Sequence, residues 1–497
     1  MANINYQFPA TVWTSITSNP YLYACIAIFL LLLYRISPFH PLYGIPGPIL
    51  FQISELPMMF FTLQGTHHIV VRELHQKYGQ ALRIGPNTVS FTSLPAITKI
   101  YGSSQALDKT SAYDLHLIKG EGLFFIKDKA SHIPRRRIWN RSFSKEALEQ
   151  YQHPITSQVK NLVYWLVKRT KMNGSVDLVK ILPQYAYDST NSVFFSGTAF
   201  HPSLLDSDDK DEIVNEASGQ FGAFGCFSHA QPLFHIIKYL PGISTFFKFE
   251  ALATEAARHR LEKGSTMRDG ISYWLEGEED QPTLAHKDLP IESETLLIGA
   301  SETIGATCTF LFYFLLTNEK WLVALREELD HIFPDGSFHG TFGILDELPF
   351  LNAIIQETLR LGIPMPGLPR LVPKGGITIN GLHVPGGTCV SVPVWTHHTD
   401  ETYFPNPYEF DPERWIEGGK FKAGRGTILA FGTGPFNCVG SKLAYLQLRT
   451  LVVLLLLHLD FTLVEGFDPA KFWGGIRNRR ATTFLEPLCI KASPRKI

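Results

Sequence analysis

The stretch "FGTGPFNCVG", Phe431 to Gly440, places one cysteine, Cys438, behind a proline and among three glycines. The run that follows, "VGSKLAYLQLRTLVVLLLLHL", is rich in strong helix formers. The sulfur is therefore expected at or just before a helix N-terminus, where backbone N–H groups and the helix dipole favour a thiolate. Gly432, Gly434 and Gly440 would let the backbone approach a flat ligand closely. A thiolate in that setting suits a heme iron. A buried, inert cysteine fits the same string, and the string alone leaves both readings open. No Gly-Lys-Ser/Thr signature follows the glycines, so this is not a phosphate loop.

The chain has 497 residues and a formal net charge of −1, with 45% hydrophobic residues. That is a globular composition with material for a large core, and it lacks the basic excess of a nucleic-acid binder. Six separated cysteines without CxxC pairing point to a reducing compartment. No charged residue occurs from Met1 to Tyr34, and "YLYACIAIFLLLLY" (Tyr21 to Tyr34) is almost wholly apolar. A retained membrane anchor is expected over 1–36, since a signal peptide would carry a basic start and a small-residue cleavage site. Arg35 directly after the run favours a cytosolic body. Prolines 38, 41, 46 and 48 make residues 37–50 a stiff hinge, leaving 51–497 as one catalytic body.

That body reads as mainly α with small peripheral sheets. "SKEALEQYQHPITSQVKNLVYWLVKRT" (Ser144 to Thr170) has helical spacing interrupted near Pro154, and Glu292 to Asp330 is helical with a corner near Asn318. Strands are expected within Ala81–Phe91 and Gly376–Val394, where "NG" and "PGG" mark turns. Three features bear on chemistry. "ETLR" puts Glu357 and Arg360 on one helix face, by itself an ordinary ion pair. "DPERW" offers Arg414 as a second cation for that carboxylate. In "LLIGASETIGATCTFLFYFLL" (Leu296 to Leu316), Glu302 and Thr303 interrupt an apolar helix. They are either a working acid and hydroxyl, or a wet-face glutamate beside a threonine bonded back to the Gly299 carbonyl.

Taken in order, "ETLR", "DPERW" and "FGTGPFNCVG" resemble the cytochrome P-450 superfamily of heme-thiolate monooxygenases, over essentially the whole chain. "LHQKYGQALRIGPNTVSF" (Leu74 to Phe91) is similar to the first sheet of its filamentous-fungal microsomal members. The resemblance implies the family's fold, preceded by an N-terminal transmembrane helix. It makes Cys438 the axial ligand of heme b, and it makes Glu357, Arg360 and Arg414 a structural triad. His132 and Arg136 in "SHIPRRRIWNRSF", with Arg370, become partners of the heme propionates. Glu302 and Thr303 become the residues that organise water and relay protons. Ala300 stands where the family has its second glycine, and Phe436 where it has Arg or His.

No dinucleotide fingerprint appears, so the resemblance implies electrons from NADPH through a separate membrane-bound reductase, docking near Lys442 and Arg135–Arg137. It further implies a single-pass protein of the endoplasmic reticulum. Substrate-facing segments would fall near Tyr113–Phe124, Phe221–Phe234, Leu296–Thr303, Ile363–Leu368 and Trp473–Arg477. The recurring Phe221, Phe224 and Phe227, with the anchor, favour a lipophilic substrate such as a terpenoid or an aromatic natural product. Two other readings stay open: a heme-thiolate isomerase or dehydratase that uses no dioxygen, and a membrane-tethered heme-binding protein without turnover.

Overall fold

The computed structural model describes residues 19–496 except 103–105, 115–119, 121, 197–202, 207–243, 266, 278–280, 339–341, 366, 368, 417–427 and 480. The phenylalanine stripe Phe221, Phe224, Phe227 and Phe234 lies outside the described residues. Helix α1 (Pro20–Ile36) has 17 residues, none of them buried. Beyond it, α2 (Leu56–Gln64) and α3 (His67–Tyr78) lead into strands β1 (Ala81–Gly85) and β2 (Thr88–Phe91). Next come β3 (Asp108–Lys109), α4 (Lys129–Arg141), α5 (Lys145–Asn173), α6 (Leu178–Phe194) and α7 (Ser244–Lys263). Then follow α8 (Leu289–Thr317), α9 (Pro349–Leu361), β4 (Arg370–Leu371), β5 (Cys389–Ser391) and α10 (Ser441–His458).

The core forms where α5, α6, α8, α9 and α10 bring apolar faces together, with Leu166, Ile181, Leu311, Ile354 and Leu451 all fully buried. α8 is the central element: 21 of its 29 residues are buried, so it has no solvent face of its own and reads as apolar all round. It stops at Thr317, and a new helix starts at Glu319, placing the corner at Asn318. α5 departs from the sequence expectation, because it runs unbroken through Pro154. The lost hydrogen bond and ring clash cost about 3 kcal/mol in an isolated helix. Here Tyr151, Ile155, Val159 and Leu162 on either side of the proline are completely buried, and burying them outweighs it.

The largest sheet has strand order β1–β2–β5–β4–β3. β2 and β5 are parallel, with Thr88 opposite Cys389, Val89 opposite Val390 and Ser90 opposite Ser391. Alternation sends Val89, Val390 and Val392 into one apolar cluster, and the small polar residues to the other face. β4 pairs with β3 so that Arg370 stands opposite Lys109.

Candidate active site

The loop before α10 is built around two left-handed glycines, Gly432 at φ 65° and Gly434 at φ 74°. A side chain would strain either position, and a Cβ on Gly434 would come within 1.7 Å of the Tyr101 carbonyl oxygen. These glycines thus have a local reason to be there, apart from any ligand. The loop closes when Cys438 N–H donates to Phe431 O at 2.8 Å. The N–H groups of Gly440 and Ser441, at the start of α10, then donate to the Cys438 sulfur, and Arg136 adds positive charge beside it. Burial acts the other way and is the largest influence, pushing the thiol above its ordinary range. Cys438 is nonetheless exposed as a residue.

A second opening occurs midway along α8. Gly299 is exposed, and Ala300, Glu302 and Thr303 are half-buried, between turns that are fully packed. A Cβ at Gly299 would meet nothing within 4 Å. Thr303 Oγ1 donates to Gly299 O at 2.6 Å, which is the back-bonded arrangement expected of a threonine inside a helix.

Around Phe436, two residues before the cysteine, lies a cluster of basic side chains. Lys109 Nζ is 4.9 Å from the Phe436 ring centre, Arg370 Cζ is 5.2 Å, and the His132 ring is 4.6 Å. Lys109 Nζ also donates to Phe124 O at 2.8 Å, and Arg370 Nη1 to Tyr113 Oη at 2.8 Å. All three side chains are buried. Burial, together with Arg370 and Arg136, lowers the Lys109 amine to about 6. The same causes, with Lys109, hold His132 down at about 3 and so neutral. Lys109 and Arg370 are also direct cross-strand partners, a like-charge pairing that is ordinarily unfavourable. The carboxylate acting on Lys109 is Glu292, itself bonded by Leu123 N–H at 2.9 Å and by Arg135 at 3.2 Å. A site built this way is completed by an anion. The two propionates of a heme would fit this donor set, and Cys438 would be the residue to hold its iron.

Arg136 stands in a different place from His132. Its Nη1 donates to Asn437 O at 2.6 Å, its Nη2 to Asn437 Oδ1 at 2.9 Å, and its Nε to Asn140 Oδ1 at 2.9 Å. It braces the residue before the cysteine. Arg135, expected on the reductase-docking surface, is instead bonded to Asp288 at 2.8 Å and to Glu292, with its side chain 17% exposed. Lys442 and Arg137 remain exposed.

Behind this site, Glu357, Arg360 and Arg414 are completely buried. Arg360 grips Glu357 through two bonds of 2.6 and 2.8 Å, and Arg414 Nε reaches the same carboxylate at 3.1 Å. Trp415 Nε1 and the Asp411 amide add 3.0 and 3.1 Å bonds. The rest of the Arg360 fork serves the carbonyls of His398, Pro407 and Glu409. His398 carries the connection onward: its Nδ1 bonds Arg360 O, and its Nε2 accepts from Leu429 N–H, both at 2.9 Å. Gly432 N–H in turn donates to Leu429 O. The cysteine loop therefore hangs from the triad through one histidine.

Lys109, Asn437 and His398 were not singled out from sequence. Lys109 in "LDKTSAY" has no motif around it, and only strand pairing brings it beside Arg370. "TILAFG" before the cysteine gives no sign that Leu429 is held by a residue 31 positions away.

Helices around a buried central helix, with a thiol at a helix start and a cationic cluster beside it, define a heme-thiolate fold. Residues 41–475 match the family model described as Cytochrome P450, and the chain belongs to that family. Tryprostatin B 6-hydroxylase of Aspergillus fumigatus is 29% identical over 449 residues, covering 88% of this chain and 78% of that protein. Cytochrome P450 monooxygenase phqL of Penicillium fellutanum is 30% identical over 450 residues, covering 88% and 77%. The crystal structure of a cytochrome P450, CYP102L1, superposes with a TM-score of 0.73 at 18% identity, covering 87% of this chain and 95% of the other. The chain is an oxidoreductase, a heme-thiolate monooxygenase that takes electrons from a redox partner and acts on a small molecule.

Proposed function

We propose that this chain is a membrane-anchored monooxygenase that binds heme b through Cys438 and oxygenates a lipophilic small molecule of fungal secondary metabolism. Electrons come from NADPH through a separate reductase. The observation that carries the reading is the cluster of Lys109, Arg370 and neutral His132 around Phe436, near a thiol served by two helix-terminal N–H groups. The apolar α1, followed by Arg35, supports a single-pass anchor in the endoplasmic reticulum over 1–36, a hinge over 37–50 and a cytosolic catalytic body over 51–497. The substrate class is supported by the relatives, one of which is named for hydroxylating tryprostatin B.

When bound, the heme supplies the oxygen-activating chemistry. This chain's residues do the rest. Gly440 and Ser441 N–H groups and Arg136 favour the thiolate at Cys438 against the cost of burial. Lys109 and Arg370 would hold the propionates, with neutral His132 as a further hydrogen-bonding partner. Arg136 serves the cysteine loop through Asn437. The triad keeps that loop in place through His398. At the opening in α8, Thr303 Oγ1 gives its proton to Gly299 O and keeps lone pairs that accept from water. Glu302 beside it supplies an exchangeable carboxyl. An intact acid and hydroxyl favour oxygenation over an isomerase or dehydratase, which has no use for a proton relay.

Thr303→Val is expected to lower product formation on the order of 10²-fold, while NADPH and dioxygen consumption continue. Product profiling with a reductase, alongside peroxide measurement, checks this. Equal product yield would remove Thr303 from the relay. Lys109→Met should weaken heme retention about tenfold or more, the equivalent of one charge-assisted hydrogen bond. It is read by heme transfer to apomyoglobin. Phe436→Arg alone places a further cation against Lys109 and Arg370 and should also weaken retention. The double variant with Lys109→Met should recover it. Unchanged or tighter retention in Phe436→Arg alone would mean that Lys109 does not act as the propionate cation.

A further inference from the structure

A cavity of about 440 Å³ lies between α2, α3, the β2–β5 face of the sheet and the turn after Trp473. Neither Cys438 nor Glu302 nor Thr303 lines it. Its floor follows from strand alternation: Thr88 and Ser90 on β2 stand beside Cys389 and Ser391 on β5, all four facing the cavity. The opposite face of the same strands is valine and belongs to the core. Most of the remaining lining is apolar, from residues such as Met58, Ile84 and Phe310.

Into this mixed wall projects one carboxylate, Glu55. Thr88 Oγ1 donates to its Oε1 at 3.1 Å. The carboxylate lies on the bare backbone of Gly85, where a Cβ would stand 2.3 Å from Oε1. Glycine at that position is what makes room for it. Trp395 and Trp473 also line the cavity, with ring centres 6.2 Å apart, and His68 meets Trp395 edge-on at 5.8 Å. The buried Nδ1 of His68 has no hydrogen-bond partner. Arg477, also in the lining, donates through Nη1 to the carbonyls of Gly474 and Ile476, which hold its guanidinium on its own turn, while its charge still acts on His68.

A carboxylate accepts several hydrogen bonds at once, and indole faces attract cations. An apolar cavity holding these two features selects a ligand that is greasy and positively charged. We infer that this cavity binds a lipophilic amine, with Glu55 taking its ammonium N–H groups and Trp395 and Trp473 covering its apolar body. Burial pushes the Glu55 carboxyl up to about 7, against the Thr88 bond and the charge of Arg35. The neighbouring Cys389 stays a thiol, raised to about 11. The carboxylate form therefore dominates at pH 8. This inference deepens the proposed function and rests on it, because Ile363, Gly367 and Trp473–Arg477 belong to two of the substrate-facing segments.

The test is calorimetric titration of the heme-loaded full chain in lipid nanodiscs at pH 8, with empty nanodiscs as blank. The probes are 1-adamantanamine and the equally shaped 1-adamantanol. The amine should bind about tenfold or more tightly than the alcohol. Glu55→Gln should bring that ratio to about one and leave alcohol affinity within about twofold. Trp473→Ala should weaken both probes. Equal binding in the unaltered protein, no binding, or an amine preference that survives Glu55→Gln overturns the inference. So does a heme absorption shift that saturates together with the calorimetric signal, because the amine would then be on the iron. An unchanged reduced carbon-monoxide spectrum in Glu55→Gln confirms an intact fold. The monooxygenase reading is judged separately, by product formation with a reductase, so either can fail without the other.

Discussion

Glu357→Gln is expected to destabilise the protein by about 3–5 kcal/mol, the cost of leaving buried charge without its counter-ion. The side chain keeps its shape, so little is lost in packing. What is lost is a carboxylate charge that faces two guanidinium groups, both completely buried. Arg360 and Arg414 would keep their backbone carbonyls and a neutral amide oxygen in place of the carboxylate. The damage should not stay local. Through His398 and Leu429 the triad carries the cysteine loop, so heme content should fall along with stability. Denaturant unfolding and the reduced carbon-monoxide spectrum measure the two effects. A loss under about 1 kcal/mol would mean that the carbonyls suffice. Arg360→Lys should behave almost as badly, because a point charge cannot replace a fork serving one carboxylate and three carbonyls.

Cys438→Ala should abolish product formation to background and remove the thiolate signature from the reduced carbon-monoxide spectrum. The redox chemistry belongs to the cofactor, and the thiolate is the protein's means of tuning it. Cys438→His provides the control for folding: heme should remain bound through the cation cluster, with a changed spectrum and no oxygenated product. Product formation at the ordinary level by either variant would sink the assignment of Cys438 as axial ligand.

Much of this was legible in the sequence because its carriers are local. Glycines spaced for a tight loop, a run of helix formers after Cys438, and Glu357 with Arg360 at i, i+3 are all neighbours along the chain. The corner at Asn318 was readable for the same reason. What stayed hidden depends on long-range pairing. Lys109 acquires its place when a two-residue strand meets Arg370, 261 positions later by their numbers. Arg135, Arg136 and Arg137 look alike in sequence, yet one holds Asp288, one braces Asn437 and one is exposed. Helix phase and the partners waiting on each side separate them. The interruption expected at Pro154 failed because local propensity was weighed without the burial on both sides of it.

The pairing of β3 with β4 holds a register that local electrostatics alone would not choose. Asp108 directly precedes Lys109, so a slip of one residue would set a carboxylate opposite Arg370 and turn the lysine to the other face. That alternative relieves the repulsion, and a chain selected only for stability would drift toward it. It is blocked because Asp108 is already engaged: its Oδ1 accepts from Lys129 N–H at the start of α4, while Lys109 N–H is held by Lys127 O. The like-charge register is thus pinned from outside the sheet. Both pins use backbone groups of the segment before α4, so Lys129→Pro, which deletes the N–H that holds Asp108, would loosen the register that carries Lys109, away from the cysteine loop itself.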